Sequence, residues 1–311
     1  MPATQTQKRV GFRNILFATD FSASANLAIP YAAGLARSFG ANLFAMHVQE
    51  PINYALPSET WQSLELTREM EIQALSQSIK HDFPEVTPHM LIGKGIVSVA
   101  LESAVEKHEI DLIVVGTRGR TGMGKAVLGS QAEKILRTAK CPVLTVGPRA
   151  CTEQDRTRGK IASILFATDF GPASLKAVPI AVSLAEEYQS KLTLLHVVQY
   201  REANEMTTPA DFGESCERQL RALVPEETRL WCEPQFIVER GQPAEGILYA
   251  AQRAQADLIV LGVHRPAGLP GASNHLPTTV HNVVSFAECP VLTVTTENSP
   301  KKCTNCQIQQ S

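Results

Sequence analysis

The sequence has no long apolar run. Nothing in its 311 residues approaches the roughly 20 consecutive apolar residues that cross a bilayer, so no membrane-spanning helix is expected. The stretch Met1 to Arg13 carries no apolar segment of the signal-peptide kind. An excess of one charge is missing too: 29 Lys and Arg against 31 Asp and Glu give a formal charge of −2. A dedicated nucleic-acid binder needs a net basic surface to displace counterions, and this balance argues against one. The seven cysteines are scattered and odd in number, unlike the framework of a secreted, disulfide-stapled domain. The expectation is a reduced, cytoplasmic, soluble protein whose thiols serve as packing residues. No G-x-S-x-G elbow or comparable nucleophile motif occurs, so acyl-transfer chemistry has no support.

Apolar residues make up 44% and charged residues 19%, enough to bury a core and to exclude general disorder. The length suits two domains of roughly 150 residues each. The sequence goes further, because it contains itself twice. Asn14 to Val48 and Ser163 to Val197 align without a gap at an offset of 149, sharing ILFATDF at one end and HV at the other. Asp111–Gly116 (DLIVVG) matches Asp257–Gly262 (DLIVLG), and CPVLTV occurs at Cys141–Val146 and Cys289–Val294. A repeat this long, in one order, means two copies of a domain rather than a solenoid.

Each copy alternates in type. In the first, ILFAT reads as a buried strand, followed by a helix from Ser22 to Phe39 with Leu27, Tyr31, Leu35 and Phe39 on one face. LFAMHV, a helix around Glu59 to Lys80, a strand near Thr87 to Ile92 and a helix from Ile96 to His108 come next. IVVG, a Gly-rich loop, a helix from Ser130 to Thr138 and PVLTV complete the copy. Apolar strands without clean alternation, separated by helices, indicate a parallel sheet covered on both faces, here doubly wound with five strands per copy. Pro30 and Pro179 occupy matching places in the first helix of each copy and should kink it or start it late. Gly147 to Lys160 reads as the linker.

In such a sheet ligands sit at the carboxyl ends of the strands. The loop after the fourth strand runs Gly116-Thr-Arg118-Gly119-Arg120-Thr-Gly122-Met-Gly124-Lys125 and on to Gly129-Ser130. Ser130 with Glu133 has the form of a capping box, which places a helix N-terminus there. Free N–H groups and the positive end of the dipole favour an anion, and glycines let the backbone approach a phosphate. Arg118, Arg120 and Lys125 add positive charge. Gly119 to Ala126 is close to a P-loop, but Ala126 replaces the hydroxyl that binds Mg²⁺, and Lys125 stands apart from the helix start.

At these residues the chain resembles the universal stress protein family, in its tandem two-domain form, over all but the N-terminal arm and the tail. Gly116, Gly119, Gly129 and Ser130 fit the family's ATP-binding signature G-x2-G-x9-G-[ST] without a gap. The resemblance implies two tandem doubly wound five-stranded parallel-sheet domains, Rossmann-like and of the adenine nucleotide alpha hydrolase-like type. They would span 10–148 and 160–296, with a polar tail at 297–311. It implies ATP as the ligand, with Mg²⁺ as a companion ion, and a role in the stress response. Asp20 would lie near ribose and base, Val48 would bond adenine through its backbone, and Gly95 fits the pattern after the third strand. Without the resemblance, Asp20 reads as an N-cap of the following helix. The resemblance also implies an internal pseudo-dimer in which Pro142–Val146 and Pro290–Val294 pair, and it leaves a homodimer of the whole chain open.

The second copy departs from the signature. Arg265 replaces the second glycine, its loop is two residues longer, and Pro277-Thr278 stand where Gly129-Ser130 stand. Proline offers no N–H to a phosphate. Asp169, Val197 and Gly241 are retained, so the expectation is an ATP site in the first copy and a degenerate one in the second. His264, His275 and His281 lack a regular ligand spacing, and Cys303-Thr-Asn-Cys306 lies in a polar tail, so neither reads as a metal or redox centre. His47 and His196 read as packed, hydrogen-bonded residues, and Cys141 and Cys289 as core positions. Three functional readings stand: an ATP-binding regulator, a slow ATPase or related nucleotide-processing enzyme, and a nucleotide-independent scaffold.

Overall fold

The computed structural model describes residues 10–49, 57–117, 128–150, 161–199, 209–264 and 276–296. The first copy runs β1 (Asn14–Thr19), α1 (Ala23–Asn26), α2 (Ile29–Phe39), β2 (Asn42–Gln49), α3 (Ser58–Asp82), β3 (Pro88–Lys94), α4 (Val97–Lys107), β4 (Leu112–Gly116), α5 (Ser130–Thr138), β5 (Val143–Val146). The second runs β6 (Ser163–Ala167), α6 (Pro172–Tyr188), β7 (Lys191–Val198), α7 (Pro209–Leu223), β8 (Gln235–Arg240), α8 (Pro243–Arg253), β9 (Leu258–Val263), α9 (Thr278–Phe286), β10 (Val291–Thr295). The doubly wound α/β reading holds for both.

These strands form one ten-stranded sheet in the order β3-β2-β1-β4-β5-β10-β9-β6-β7-β8. Neighbours are parallel within each copy, and β5 meets β10 antiparallel. The expected pairing of the fifth strands is therefore present, with Thr145 opposite Val291, Leu144 opposite Leu292 and Val143 opposite Thr293. The seam carries buried side-chain bonds related by the pseudo-two-fold. Thr145 Oγ1 donates to Val291 O at 3.0 Å, and Thr293 Oγ1 donates to Val143 O at 3.2 Å.

Side chains alternate across the sheet with period two. Ile15 and Phe17 of β1 join the core that packs on α2, α3, α6 and α7, and Leu16 joins the core on α4, α5, α8 and α9. Both cores run through both copies. The Asp of each DLIV repeat fixes the first strand to the fourth. Asp111 accepts the N–H groups of Arg13 and Asn14 at 2.8 and 3.1 Å, and Asp257 accepts those of Ala162 and Ser163 at 2.7 and 2.9 Å.

One expectation fails here. The helix expected over Ser22–Phe39 is two helices, because Ser22 caps the short α1 and Pro30 sits in the first positions of α2. Its repeat mate Pro179 lies inside the continuous α6. That proline leaves the Leu175 carbonyl without its helical donor. Leu175 is 46% exposed, where water can take the bond.

Candidate functional site

Strand order reverses between β1 and β4, and the carboxyl ends of these strands open a crevice there. A cleft of about 290 Å³ occupies it in the first copy. Asp20 and Thr19 come from the end of β1, His47 and Val48 from β2, Gly116 and Thr117 from β4, and Gly129 and Ser130 from the start of α5. Five expected residues thus meet in one place: Asp20, Val48, Gly116, Gly129 and Ser130. Gly95 does not line the cleft; its φ of 101° turns the chain from β3 into α4, and its N–H donates to Gln49 O at 2.9 Å. Arg118, Gly119, Arg120 and Lys125 lie outside the described residues.

The local chemistry follows from the turn after β1. Thr19 Oγ1 accepts the Phe21 N–H at 2.9 Å, and Asp20 Oδ1 accepts the Ser22 N–H at 3.0 Å. Phe21 sits between them at φ 61°. Asp20 is therefore not the helix cap. Ser22 is, with its Oγ accepting the Ala25 N–H at 3.1 Å. Gly116 is required by space: a Cβ there would meet Ser24 O at 2.9 Å and Ala25 Cα at 3.0 Å. Val48 lies one residue past the last β1–β2 pair, Thr19 with His47. The His47 Nδ1 lies 3.0 Å from Thr19 O, and the ring rests on Phe21 at 4.5 Å. A carbonyl only accepts, so the Nδ1 N–H donates to it and the other edge of the ring faces away from this bond. The packed reading of His47 holds, but the sequence did not show that this ring also walls the cleft.

The capping box does not form. Gly129 is the N-cap of α5, extended at φ −66° and ψ 144°, and Ser130 is the first helical residue. The S-x-x-E pattern fits either register; the Gly129 N–H decides it by donating to Thr117 O at 2.8 Å. Thr117 N–H in turn donates to Val146 O at 2.9 Å. The helix start is thus tethered to β4 and through it to β5. The N–H groups of Ser130 to Ala132 belong to the first turn, which has no intrahelical acceptor for them.

The second copy repeats the cleft at about 230 Å³, with Asp169, His196, Val197, Gly262, Pro277 and Thr279 among its walls. His196 Nδ1 lies 2.8 Å from Thr168 O and its ring rests on Phe170 at 4.6 Å, as in the first copy. Asp169 differs from Asp20. Its Oδ1 accepts both the Gly171 N–H at 2.8 Å and the Ser174 hydroxyl at 2.6 Å, and Ala25 stands where Ser174 stands. Pro277 is the N-cap of α9, as the alignment requires. Its effect differs from the loss of a phosphate donor expected from the sequence. In the first cleft the Gly129 N–H is already donated to Thr117, so Pro277 removes the tether rather than a phosphate donor.

Other features lie apart from the clefts. A cavity of about 660 Å³ sits at the strand starts by Asp257 and Pro290 and is also bordered by Tyr31 and Ala150. That is the wrong end of a doubly wound sheet for its ligand, so its size does not outweigh the position of the smaller clefts. Among the described residues no group of three or more His, Cys, Asp or Glu is placed to hold a metal ion. Burial first, then Asp257 and Glu288, push the Cys289 thiol up to about 12. Its mate Cys141 is only half-buried. Cys303, Cys306 and His275 lie outside the described residues.

Fold and paired clefts define a tandem α/β protein with a doubly wound, Rossmann-like sheet in each copy. The family model described as the universal stress protein family matches residues 11–147 and again 160–295. A universal stress protein of Mycolicibacterium smegmatis is 29% identical over 295 residues, covering 90% of this chain and 96% of its own. One from Methanocaldococcus jannaschii is 32% identical over 139 residues, covering 43% of this chain and 82% of its own. The crystal structure of a universal stress protein from Archaeoglobus fulgidus shares the fold at a TM-score of 0.69 and 19% identity, over 91% of this chain and 98% of that one. The chain belongs to the universal stress protein family. Membership supports a role in the stress response, and no described helix is long and apolar enough to cross a membrane.

Proposed function

We propose that the protein is a cytoplasmic ATP-binding regulator of the stress response, with ATP held in the first-copy cleft. The observation that carries this reading is the meeting of Asp20, Val48, Gly116, Gly129 and Ser130 around one cleft at the strand-order switch. The residues fit the group. The first turn of α5 directs N–H groups at an anion, Asp20 suits ribose hydroxyls, and the apolar walls Val48, Val97 and Leu101 suit a base. Arg118, Gly119 and Arg120 would complete the phosphate cradle, with Mg²⁺ accompanying the triphosphate. Occupancy would favour whichever conformation binds ATP better and so change the surface offered to a partner.

The regulator reading is preferred over the ATPase. Hydrolysis needs a positioned base, and Asp20 is the one carboxylate among the described residues of the cleft. Calorimetric titration of the full chain with ATP, alongside phosphate release, separates the readings. Asp20→Ala should weaken ATP at least tenfold, about 1.4 kcal/mol, and Asp169→Ala should leave it unchanged. Loss of ATP binding in Asp169→Ala alone would place the nucleotide in the other copy. Turnover abolished by Asp20→Ala would favour the enzyme. No ATP binding, with no nucleotide released on denaturing the purified protein, would favour the scaffold.

A further inference from the structure

We infer that the groove between α8 and the turn from α9 to β10 is a binding site for a linear aliphatic polyamine. This groove is the cavity of about 660 Å³ at the strand starts, a volume within the range of small-molecule sites. It lies at the opposite end of the sheet from both clefts described above. Its walls come from both copies. Tyr31 and Ala150 belong to the first, and the Tyr31 hydroxyl donates to Ala150 O at 2.6 Å. The second supplies the rings of Tyr249 and Phe286 and three carboxylates, Glu245, Asp257 and Glu288. No Lys or Arg is among the described residues that line it. Two arginines touch wall residues from outside. Arg149 donates to Phe286 O at 3.5 Å, and Arg253, 5.6 Å from the centre of the Tyr249 ring, pairs with Glu239 at 3.3 Å.

The repeat shows what such a groove takes. Helices α4 and α8 align end to end, Val97 with Pro243 and Lys107 with Arg253. In the first copy the matching groove is only about 80 Å³, and Lys140 lines it with Nζ 2.8 Å from Glu102 and 2.9 Å from Glu106. The second copy has Glu288 in the place of Lys140, Leu248 in the place of Glu102 and Gln252 in the place of Glu106. The built-in cation is gone, and a carboxylate stands in its place. Glu245 and Glu288 enter no ion pair among the described residues. Asp257 takes the N–H groups of Ala162 and Ser163 both on Oδ2, whereas Asp111 uses one oxygen for each of its two. Its Oδ1 is left without a donor among the described residues. After burial itself, Asp257 and then Glu288 raise the pKa of the Cys289 thiol, so both carboxylates bear on one wall residue. Uncompensated carboxylates beside aromatic rings select a cation, and the apolar walls take an alkyl stem. Residues 161–296 carry 15 Asp and Glu against 9 Lys and Arg, so the field of this copy attracts the same class of ligand. The three carboxylates are not clustered to hold a metal ion. Ammonium groups spaced along an alkyl chain can meet them one by one.

The test uses the full chain and spermidine as probe, titrated by calorimetry at fixed ionic strength. Any bound nucleotide is removed first, because polyamines also pair with phosphates. One equivalent of spermidine should bind saturably, and the ring protons of Tyr249 and Phe286 should shift in NMR spectra. Glu288→Lys, which restores the residue type of the first copy, should weaken binding about tenfold or more. Glu245→Gln should weaken it in the same direction. Both side chains are exposed, so neither change disturbs the core. Glu102→Gln, which removes the same charge from the first copy, should leave binding unchanged. Equal weakening by Glu102→Gln, equal displacement by Mg²⁺, or no saturable binding to the unaltered chain would overturn the inference and leave only counterion screening. The result is independent of the ATP reading: a chain that binds no nucleotide still shows the contrast between Glu288→Lys and Glu102→Gln.

Discussion

Replacing one glycine by alanine at the two repeat-related positions Gly116 and Gly262 should give unequal losses of stability. Each closes on the first helix of its copy, and neither has a positive φ, so alanine fits both backbones. The sign and size therefore depend on space. At Gly116 a Cβ meets Ser24 O at 2.9 Å and Ala25 Cα at 3.0 Å, contacts that a shift of a few tenths of an ångström relieves. At Gly262 it meets Ser174 N at 2.2 Å, the Ala173 carbonyl carbon at 2.4 Å and Ser174 Cα at 2.5 Å. These are backbone atoms in a continuous helix, so α6 as a whole must retreat from β9. Overpacking costs about 1–3 kcal/mol, and more where backbone must move. Alanine recovers about 0.5–1 kcal/mol of backbone entropy over glycine in a strand. The net loss is about 0–1 kcal/mol for Gly116→Ala and about 3 kcal/mol for Gly262→Ala. At about 2 °C per kcal/mol for a chain of this size, Gly262→Ala lowers Tm by roughly 6 °C. Urea unfolding followed by circular dichroism, with calorimetry for Tm, measures both. A Gly262→Ala protein as stable as Gly116→Ala would refute the close approach of α6 to β9.

The seam hydroxyls give a second prediction. Thr145→Val and Thr293→Val keep shape and remove one buried hydrogen bond each, and each should cost about 1 kcal/mol in urea unfolding; unchanged stability in both would remove the hydroxyls from the account of the seam. The Cys289 thiol supplies a pH dependence. Its folded pKa, pushed up to about 12, lies above the ordinary thiol value near 8.5, so its contribution is complete below that value and fades as pH rises toward 12. Between about pH 8.5 and about pH 11, the accessible part of that window, Tm should fall less steeply in Cys289→Ala than in the unaltered chain. Identical slopes would count against burial of the thiol.

Much of the fold could be read from the sequence because the repeat supplied each element twice. ILFAT, DLIV and CPVLTV mark three of the five strands in each copy, and the DLIV aspartate also supplies the ties between first and fourth strand. The pseudo-dimer was legible only through family resemblance, since no pattern within one strand specifies its partner across a seam. Two local errors, the caps read at Asp20 and Ser130, share a cause. Asp20 and Ser130 each satisfy a capping pattern, but the caps fall at Ser22 and Gly129, where the chain is extended, and at Gly129 a contact distant in sequence, with Thr117, holds it so. Pro30 and Pro179 match in sequence yet start one helix and interrupt another, because Gly171-Pro172 starts α6 early while Ser22 caps only a single turn. Asp20, Val48 and the glycines reached the cleft through motif spacing. Thr19, His47 and Thr117 did not, because strand ends become walls only once the order of strands is known.

The antiparallel meeting of β5 and β10 makes each copy the edge protection of the other. A chain cut between the copies would bare an unpaired strand on each half, and reassociation would then depend on protein concentration. In the fused chain that dependence is gone, because the partner is always present at high effective concentration. The fusion also separates two obligations that a symmetric dimer must meet with a single sequence. One copy can keep its ligand chemistry while the other drifts, provided that the drifting copy still presents β10 and the helices beside it. The strand that the second copy offers its neighbour is then the part of it least free to vary.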